Sequence, residues 1–400
     1  MPRVKVLFFA EGATLAHVAR PLVLARSLDP SKFKVVFARP PAFQWMTSGG
    51  PLEVVDLACQ DSSVFARKLE WGLPLYDFRT LIRYVEDDLA LIDSEKPDII
   101  VGDFRLSLSV SARLRSIPYI TICDAYWSSM RRLDPPLPVF GLSQHVPLSL
   151  MEPVFRIASP IAFKFHAIAM ERLRAKYRLP SLGFNLQRCY TDADLQLFAN
   201  IPSLFPKIQT SATAKFIGPI AWSPNDDHHD FGFLNSCDPV IYVTMGSSGD
   251  PKVLSVIIPA LERLGYPLIV ATAGRFQPEI VSAQTRVFDF VPGEIVCKHA
   301  RLVVCNGGSP STNQALTYGV PVLGIAKNMD QFLNMRAIEN NGAGITLRAD
   351  RVTAAKFIAA TIELITNKKI IASARVLAES ARISLAENSL DVFIDNLLSK

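Results

Sequence analysis

Residues 301–334 (RLVVCNGGSPSTNQALTYGVPVLGIAKNMDQFLN) constrain the fold of this chain more than any other stretch. The apolar run Leu302 to Cys305 has the length of a buried strand, and the turn Asn306-Gly307-Gly308-Ser309 follows it. A helical pattern then runs through Ala315, Leu316 and Tyr318 until Gly319 ends it. Val320 to Ile325 reads as the next strand, and a polar loop carries Asp330, Gln331 and Asn334. A strand, a glycine turn and a helix start make an anion site. The first helical amides have no partner inside the helix, and the helix dipole adds partial positive charge. Two glycines let a phosphate approach the backbone, and Pro310 suits a first turn because its missing N–H would be orphaned there anyway.

The rest of the chain fits an α/β protein of two domains. Val4 to Ala10 is a first strand, residues 11–17 a loop, Val18 to Leu28 a helix and Lys34 to Ala38 a second strand. This βαβ order implies a parallel sheet with ligands at the carboxyl ends of its strands, where His17 sits. Residues 98–103 make a strand ending in Asp103, followed by a helix and the strand Ile117 to Ile122, with Asp124 just beyond. Gly218 to Pro239 is rich in Pro, Asp and Asn; its Asp226-Asp227-His228-His229-Asp230 run is a solvated linker, because neighbouring side chains in an extended chain point apart and cannot converge on a metal. Val240 to Met245 opens the second domain and leads into Gly246-Ser247-Ser248-Gly249, which lacks the spacing of a Walker loop.

Composition narrows the classes. In 400 residues, 49% are hydrophobic and 20% charged, so a large core forms and wholesale disorder is excluded. No apolar run has the length of a membrane span, Met1 to Ala10 lacks signal-peptide features, and the six scattered cysteines form no CxxC pair; a cytoplasmic location is expected. The net charge of +5 is uneven: residues 1–220 hold 26 Lys+Arg against 20 Asp+Glu, and 151–190 hold seven against two. Val154 to Tyr177 is a basic, apolar helical stretch, either packed in the core as part of an inserted helical pair or resting peripherally on the inner membrane face through 151–190. No nucleic-acid motif accompanies it.

The order Asn306-Gly307-Gly308, Gln314, Gly319-Val320-Pro321 and Asp330-Gln331 resembles the C-terminal nucleotide-sugar motif of family 1 glycosyltransferases of bacterial type. That family has His-Gly-Gly, an acidic residue eight positions on, Gly-Val-Pro and Asp-Gln. The resemblance extends more weakly over most of the chain. It implies the GT-B fold, two Rossmann-like domains with parallel sheets facing across a cleft. The acceptor-binding domain would be 1–220, the linker 221–239 and the nucleotide-sugar domain 240–380, with a helix at 381–400 crossing back to the first domain.

The resemblance also implies roles. His17 is the general base and Asp103 its orienter, although Asp103 reads equally as a cap of the following helix, and Asp124 stands in reserve. Gly246, Ser247, Ser248, Asn306, Gly307, Gly308 and Ser309 would meet the diphosphate. Phe290 and Val291 would meet the base, Gln314 the ribose, and Asp330 and Gln331 the sugar. Trp127, directly after a strand, either lines the acceptor pocket or packs in the core. The implied reaction moves a hexose from a UDP- or dTDP-sugar to a hydroxyl of a small-molecule or lipid acceptor, with inversion, no metal and no cofactor beyond the co-substrate. Asn306 replaces a histidine and Gln314 an acid, and His17 and Pro21 stand four apart rather than three. A nucleotide-sugar epimerase of related architecture and a non-catalytic nucleotide-sugar-binding protein remain as alternatives.

Overall fold

Val4–Ala10 forms β1, and its last five residues are fully buried, as a central parallel strand covered on both faces requires. The computed structural model describes residues 3–48, 52–223, 231–235, 239–278 and 281–399; the acidic and histidine run at 226–230 lies outside them. After β1 come α1 (Ala16–Ser27), β2 (Phe33–Arg39), α2 (Gln44–Thr47), β3 (Glu53–Asp56), α3 (Ser62–Glu70), α4 (Phe78–Glu95), β4 (Ile99–Asp103), α5 (Leu108–Leu114) and β5 (Tyr119–Cys123). Then follow α6 (Leu148–Lys176), α7 (Leu186–Thr191), β6 (Leu195–Phe198) and β7 (Ala214–Phe216). The sheet order is β3-β2-β1-β4-β5-β6-β7, with every pairing parallel.

The second half repeats the plan with β8 (Val240–Thr244), α8 (Leu254–Glu262), β9 (Leu268–Ala271), β10 (Thr285–Phe288), α9 (Gly293–His299), β11 (Ala300–Cys305), α10 (Ser309–Thr317), β12 (Val322–Ala326), α11 (Met329–Asn340) and β13 (Gly344–Arg348). Helices α12 (Ala354–Thr366), α13 (Lys368–Glu387) and α14 (Leu390–Leu398) close the chain. Its sheet order is β10-β9-β8-β11-β12-β13, again all parallel. In both sheets the strand order reverses once, between β1 and β4 and between β8 and β11. A crevice opens at such a reversal, beyond the carboxyl ends of the strands. Ala10 pairs with Asp103 and Thr244 with Cys305, so the two loops at each crevice leave the sheet level with one another.

Leu390, Phe393 and Ile394 of α14 pack in the same core as Val6, Val18 and Leu22 of the first domain, so the terminal helix crosses back. Another cluster runs through both domains, from Trp127 and Phe198 to Leu316 and Met335. One expectation is corrected. Asp330, Gln331 and Asn334 lie on α11 and not in a loop, because Asn328 and Gln331 form a reciprocal capping box that starts the helix two residues before Gln331. Pro153 and Pro160 sit inside α6. The carbonyls they leave without a backbone donor belong to Ser149, which is exposed, and to Arg156, whose carbonyl accepts from the Ser159 hydroxyl at 3.5 Å. Among the described residues no helix is long and apolar enough to cross a membrane.

Candidate active site

His17 lies in the first turn of α1, just past the end of β1. Its Nδ1 stands 2.8 Å from Asp103 Oδ1. Asp103, the last residue of β4, is almost wholly buried and does not cap α5, whose N-cap is Ser107. Arg20, one turn along α1 from His17, grips the same carboxylate: Nε donates to Oδ2 at 2.8 Å and Nη2 to Oδ1 at 2.9 Å. Its Nη1 donates to Asp124 Oδ2 at 2.7 Å, and Asn200 Nδ2 donates to Asp124 Oδ1 at 3.0 Å. Burial by itself would push the Asp103 carboxyl up, but Arg20 and His17 more than offset it and hold the group below the usual range.

This network assigns the tautomer. Asp103 is ionised and accepts only, so in the neutral His17 ring Nδ1 donates to it and Nε2 keeps the lone pair, with Arg20 Nη2 also 3.3 Å from Nδ1. The ring is stacked on Phe104, with centroids 4.7 Å apart. Phe104 has φ of +58°, a left-handed conformation that costs a bulky residue of order 1–3 kcal/mol and persists only where its neighbours fix it. Both neighbours do so: Asp103 through His17 and Arg20, and Arg105 through a fully buried ion cluster. In that cluster Arg105 donates to Asp88 at 3.0 Å and to Glu11 at 3.2 Å, and it stacks on the Tyr84 ring at 3.5 Å.

The second crevice is built from β8, β11 and α11. Gly307 has φ of +80°, and a Cβ there would stand 2.6 Å from Met335, so only glycine fits. Of the amides expected to meet an anion, that of Gly307 points at Cys305 Sγ at 3.3 Å and that of Gly308 donates to Asn306 Oδ1 at 3.0 Å. The first-turn amides of Ser309 and Ser311 have no intrahelical acceptor. Asn306 Nδ2 donates to Ser248 Oγ at 3.1 Å, tying the β11 turn to the exposed loop after β8. Arg275 fixes that loop from its other side, donating to the carbonyls of Gly246, Ser247 and Gly249.

Gln314 is buried on α10, pressed against Gly293, with Nε2 donating to Ser223 at 3.1 Å. Val291 is buried, whereas Phe290 is partly exposed beside a cavity of about 460 Å³ that Thr272 and Asp289 also line. Gln331 is buried and spends its Oε1 on the amides of Lys327 and Asn328, at 2.8 and 3.2 Å. Among the described residues no cluster of three or more His, Cys, Asp or Glu side chains is arranged to hold a metal ion.

The crevices meet at Trp127 and Asp330. Trp127 Nε1 donates to Asp330 Oδ1 at 2.8 Å, across the two domains. Asp330 keeps part of its surface open, yet Tyr126 and Trp127 enclose its carboxylate; that burial, and Asp124 nearby, push the carboxyl up against the Trp127 hydrogen bond that opposes them. The structure thus brings His17, Asp103, Trp127 and Asp330 to one place, with the Asn306–Ser309 turn and Ser248 beside them.

The comparisons with known proteins bear on the family and the fold. Residues 257–386 match the erythromycin biosynthesis protein CIII-like C-terminal domain. Over 379 residues the chain is 41% identical to a PGL/p-HBAD biosynthesis glycosyltransferase of Mycobacterium tuberculosis, covering 94% of this chain and 89% of that one. The chain belongs to the family 1 glycosyltransferases. A PGL/p-HBAD biosynthesis rhamnosyltransferase of Mycobacterium bovis is 40% identical over the same length, covering 94% and 84% of the two chains. Among solved structures, the glycosyltransferase of kitacinnamycin superposes over 100% of both chains with a TM-score of 0.73 at 17% identity. A Streptomyces glycosyltransferase complexed with thymidine diphosphate superposes over 98% and 99% with a TM-score of 0.66 at 18% identity. The fold is GT-B, and the protein is a glycosyltransferase.

Sequence reasoning passed over four residues of this site. Arg20 carried a signal, since it stands three residues from His17 and therefore on the same helix face. Phe104 carried none, because its left-handed backbone is set by anchors on both sides. Tyr126 carries a buried hydroxyl that faces Asp330 without completing a hydrogen bond. Trp45 of α2 lies 5.9 Å from Phe290 across the domains, a contact only the tertiary structure creates.

Proposed function

We propose that this glycosyltransferase moves a hexose from a nucleoside-diphosphate sugar to a hydroxyl of a small-molecule or lipid acceptor, in one in-line displacement that inverts the anomeric carbon. The observation that carries this reading is the His17–Asp103–Arg20 arrangement, near enough to Asp330 of the facing domain for His17 to act on its charge. The acceptor O–H gives its proton to His17 Nε2 while its oxygen bonds to the anomeric carbon and the bond from that carbon to the diphosphate breaks. Asp103 steadies the imidazolium that forms. The departing diphosphate collects negative charge, and the Ser309 and Ser311 amides with the Ser247 and Ser248 hydroxyls are the donors placed to meet it. Gly307 and Gly308 serve by letting the phosphate approach.

Asn306 supplies no cation, so leaving-group stabilisation rests on neutral donors, each about half as strong as a charge-assisted one. Asp330 is the residue to hold the sugar hydroxyls. Gln331 acts by setting the pitch of α11 beneath it, and Trp127 borders both sugar and acceptor. Phe290 and the Val291 backbone would take the base and Gln314 the ribose. Thymidine diphosphate in a structural neighbour and the rhamnosyltransferase relative favour a dTDP-deoxyhexose over a UDP-hexose. In this reading no metal takes part. Thermal shift against a panel of UDP- and dTDP-sugars, then mass spectrometry and NMR of the product, tests it. The expected product is the inverted anomer, formed equally well in EDTA and lost with His17→Ala; retention at the anomeric carbon rejects the single displacement.

A further inference from the structure

The two faces of α6 have opposite fates. Its inner face buries Ala167, Met170 and Leu173 in the cluster that holds Ala13 of the His17 loop, with Phe104 and Tyr190 at its edge. The outer face carries Leu150, Val154, Ile157, Ile161, Phe165 and Ile168, three and four residues apart and all exposed. At 3.6 residues per turn these six form one stripe about 27 Å long. Exposure reaches 78% at Ile157 and 73% at Ile161. Soluble monomers seldom leave an apolar strip of this kind open unless something docks on it.

The charges that α6 itself places beside the stripe have one sign. Lys164 stands at its edge, and Arg172 and Lys176 extend the same face by two further steps of four residues; all three are exposed. The acids of α6 are elsewhere. Glu152 stands five residues from Ile157, about 140° round the helix. Glu171 is buried, bonded to Ser181 and to the amides of Leu182 and Phe184. A second copy of α6 would therefore bring cations against cations with no carboxylate of its own helix to meet them, whereas an acidic lipid surface neutralises all three.

We infer that the outer face of α6 docks on an anionic bilayer surface. The apolar stripe enters the boundary between headgroups and acyl chains, and Lys164, Arg172 and Lys176 meet lipid phosphates. The contact holds whether or not the proposed donor and stereochemistry are right. The inner face of the same helix packs on Ala13 and Phe104 beside His17, which brings the site near an amphiphilic acceptor partitioned in the lipid.

Co-sedimentation of the full chain with vesicles rich in phosphatidylglycerol, against vesicles of phosphatidylcholine alone, tests the inference. The wild type is expected to pellet with the acidic vesicles and to release as salt rises. Lys164→Gln with Lys176→Gln lowers binding on the order of fivefold per cation. Ile157→Glu with Ile161→Glu abolishes pelleting without changing the melting temperature or transfer to a water-soluble acceptor. A wild type that stays in the supernatant overturns the inference, as do variants that pellet like it. A dimer in solution that Ile157→Glu splits, without lipid binding, reassigns the face to self-pairing. Transfer to the water-soluble acceptor persists in all these cases, which separates failure here from failure of the transferase reading.

Discussion

Asp103→Asn gives the sharpest test of the base. In a catalytic triad this exchange inverts the histidine tautomer and costs about 10⁴-fold in rate. Here Arg20 changes the outcome. Oδ1 of residue 103 receives two donors, His17 Nδ1 and Arg20 Nη2, and Oδ2 receives one, Arg20 Nε. An asparagine with its NH2 on the Oδ1 side faces the guanidinium Nη2 donor directly and can satisfy His17 only by inverting it. With its NH2 on the Oδ2 side it opposes a single donor and keeps the His17 proton on Nδ1. The second orientation wins, so the base stays usable and only the charge is lost. Exchanging a charged acceptor for a neutral one removes roughly 1.5 kcal/mol from the bond to His17. The lost attraction to the developing imidazolium is at most about 4 kcal/mol at 4 Å in a protein-like dielectric. We therefore expect kcat/KM to fall between about tenfold and several hundredfold, with stability down by about 1–3 kcal/mol for the donor facing Arg20 Nε. Nucleoside-diphosphate release under substrate-limiting conditions measures the first, and thermal unfolding the second. Adding Arg20→Met frees the amide to rotate and drives the rate toward the lower, triad-like level. A single-variant loss near 10⁴-fold, with ¹⁵N NMR showing the His17 proton on Nε2, would refute the reasoning.

Three further outcomes follow from the same geometry. Asp330 has a raised carboxyl pKa, so the fold holds its proton more tightly than the unfolded chain does, and stability falls as pH rises from about 3.8 through the folded value. Asp330→Asn should raise the melting temperature at pH 8 and not at pH 3.5 while impairing transfer; a variant less stable than wild type at pH 8 contradicts this. Gly307→Ala places a methyl 2.6 Å from Met335 in a left-handed backbone, and unfolding in urea should show a loss of about 2–4 kcal/mol. Trp127→Phe keeps the packing but takes the indole donor from Asp330; donor KM should rise more than tenfold with the nucleotide's own affinity nearly unchanged, as calorimetry with nucleoside diphosphate alone would check.

The sequence by itself determined the repeating strand–helix plan, because periodicity and glycine stops are local. It placed His17 and the Asn306–Ser309 turn at the carboxyl ends of strands, since a parallel sheet puts every such turn on one edge. It left Asp103 open between orienter and helix cap, because a strand-terminal aspartate looks the same in either role. Only the tertiary structure decided that Arg20 shares Asp103 with His17, since the partners are 83 and 86 residues apart. Likewise, nothing local told that Trp127 would meet Asp330 across 203 residues. Side chains choose partners by distance in space and by which donors remain unsatisfied, and neither is written into a neighbouring residue. The same holds for α6: composition marks it as apolar and basic, but which stripe stays open depends on where α4 and α7 cover the rest.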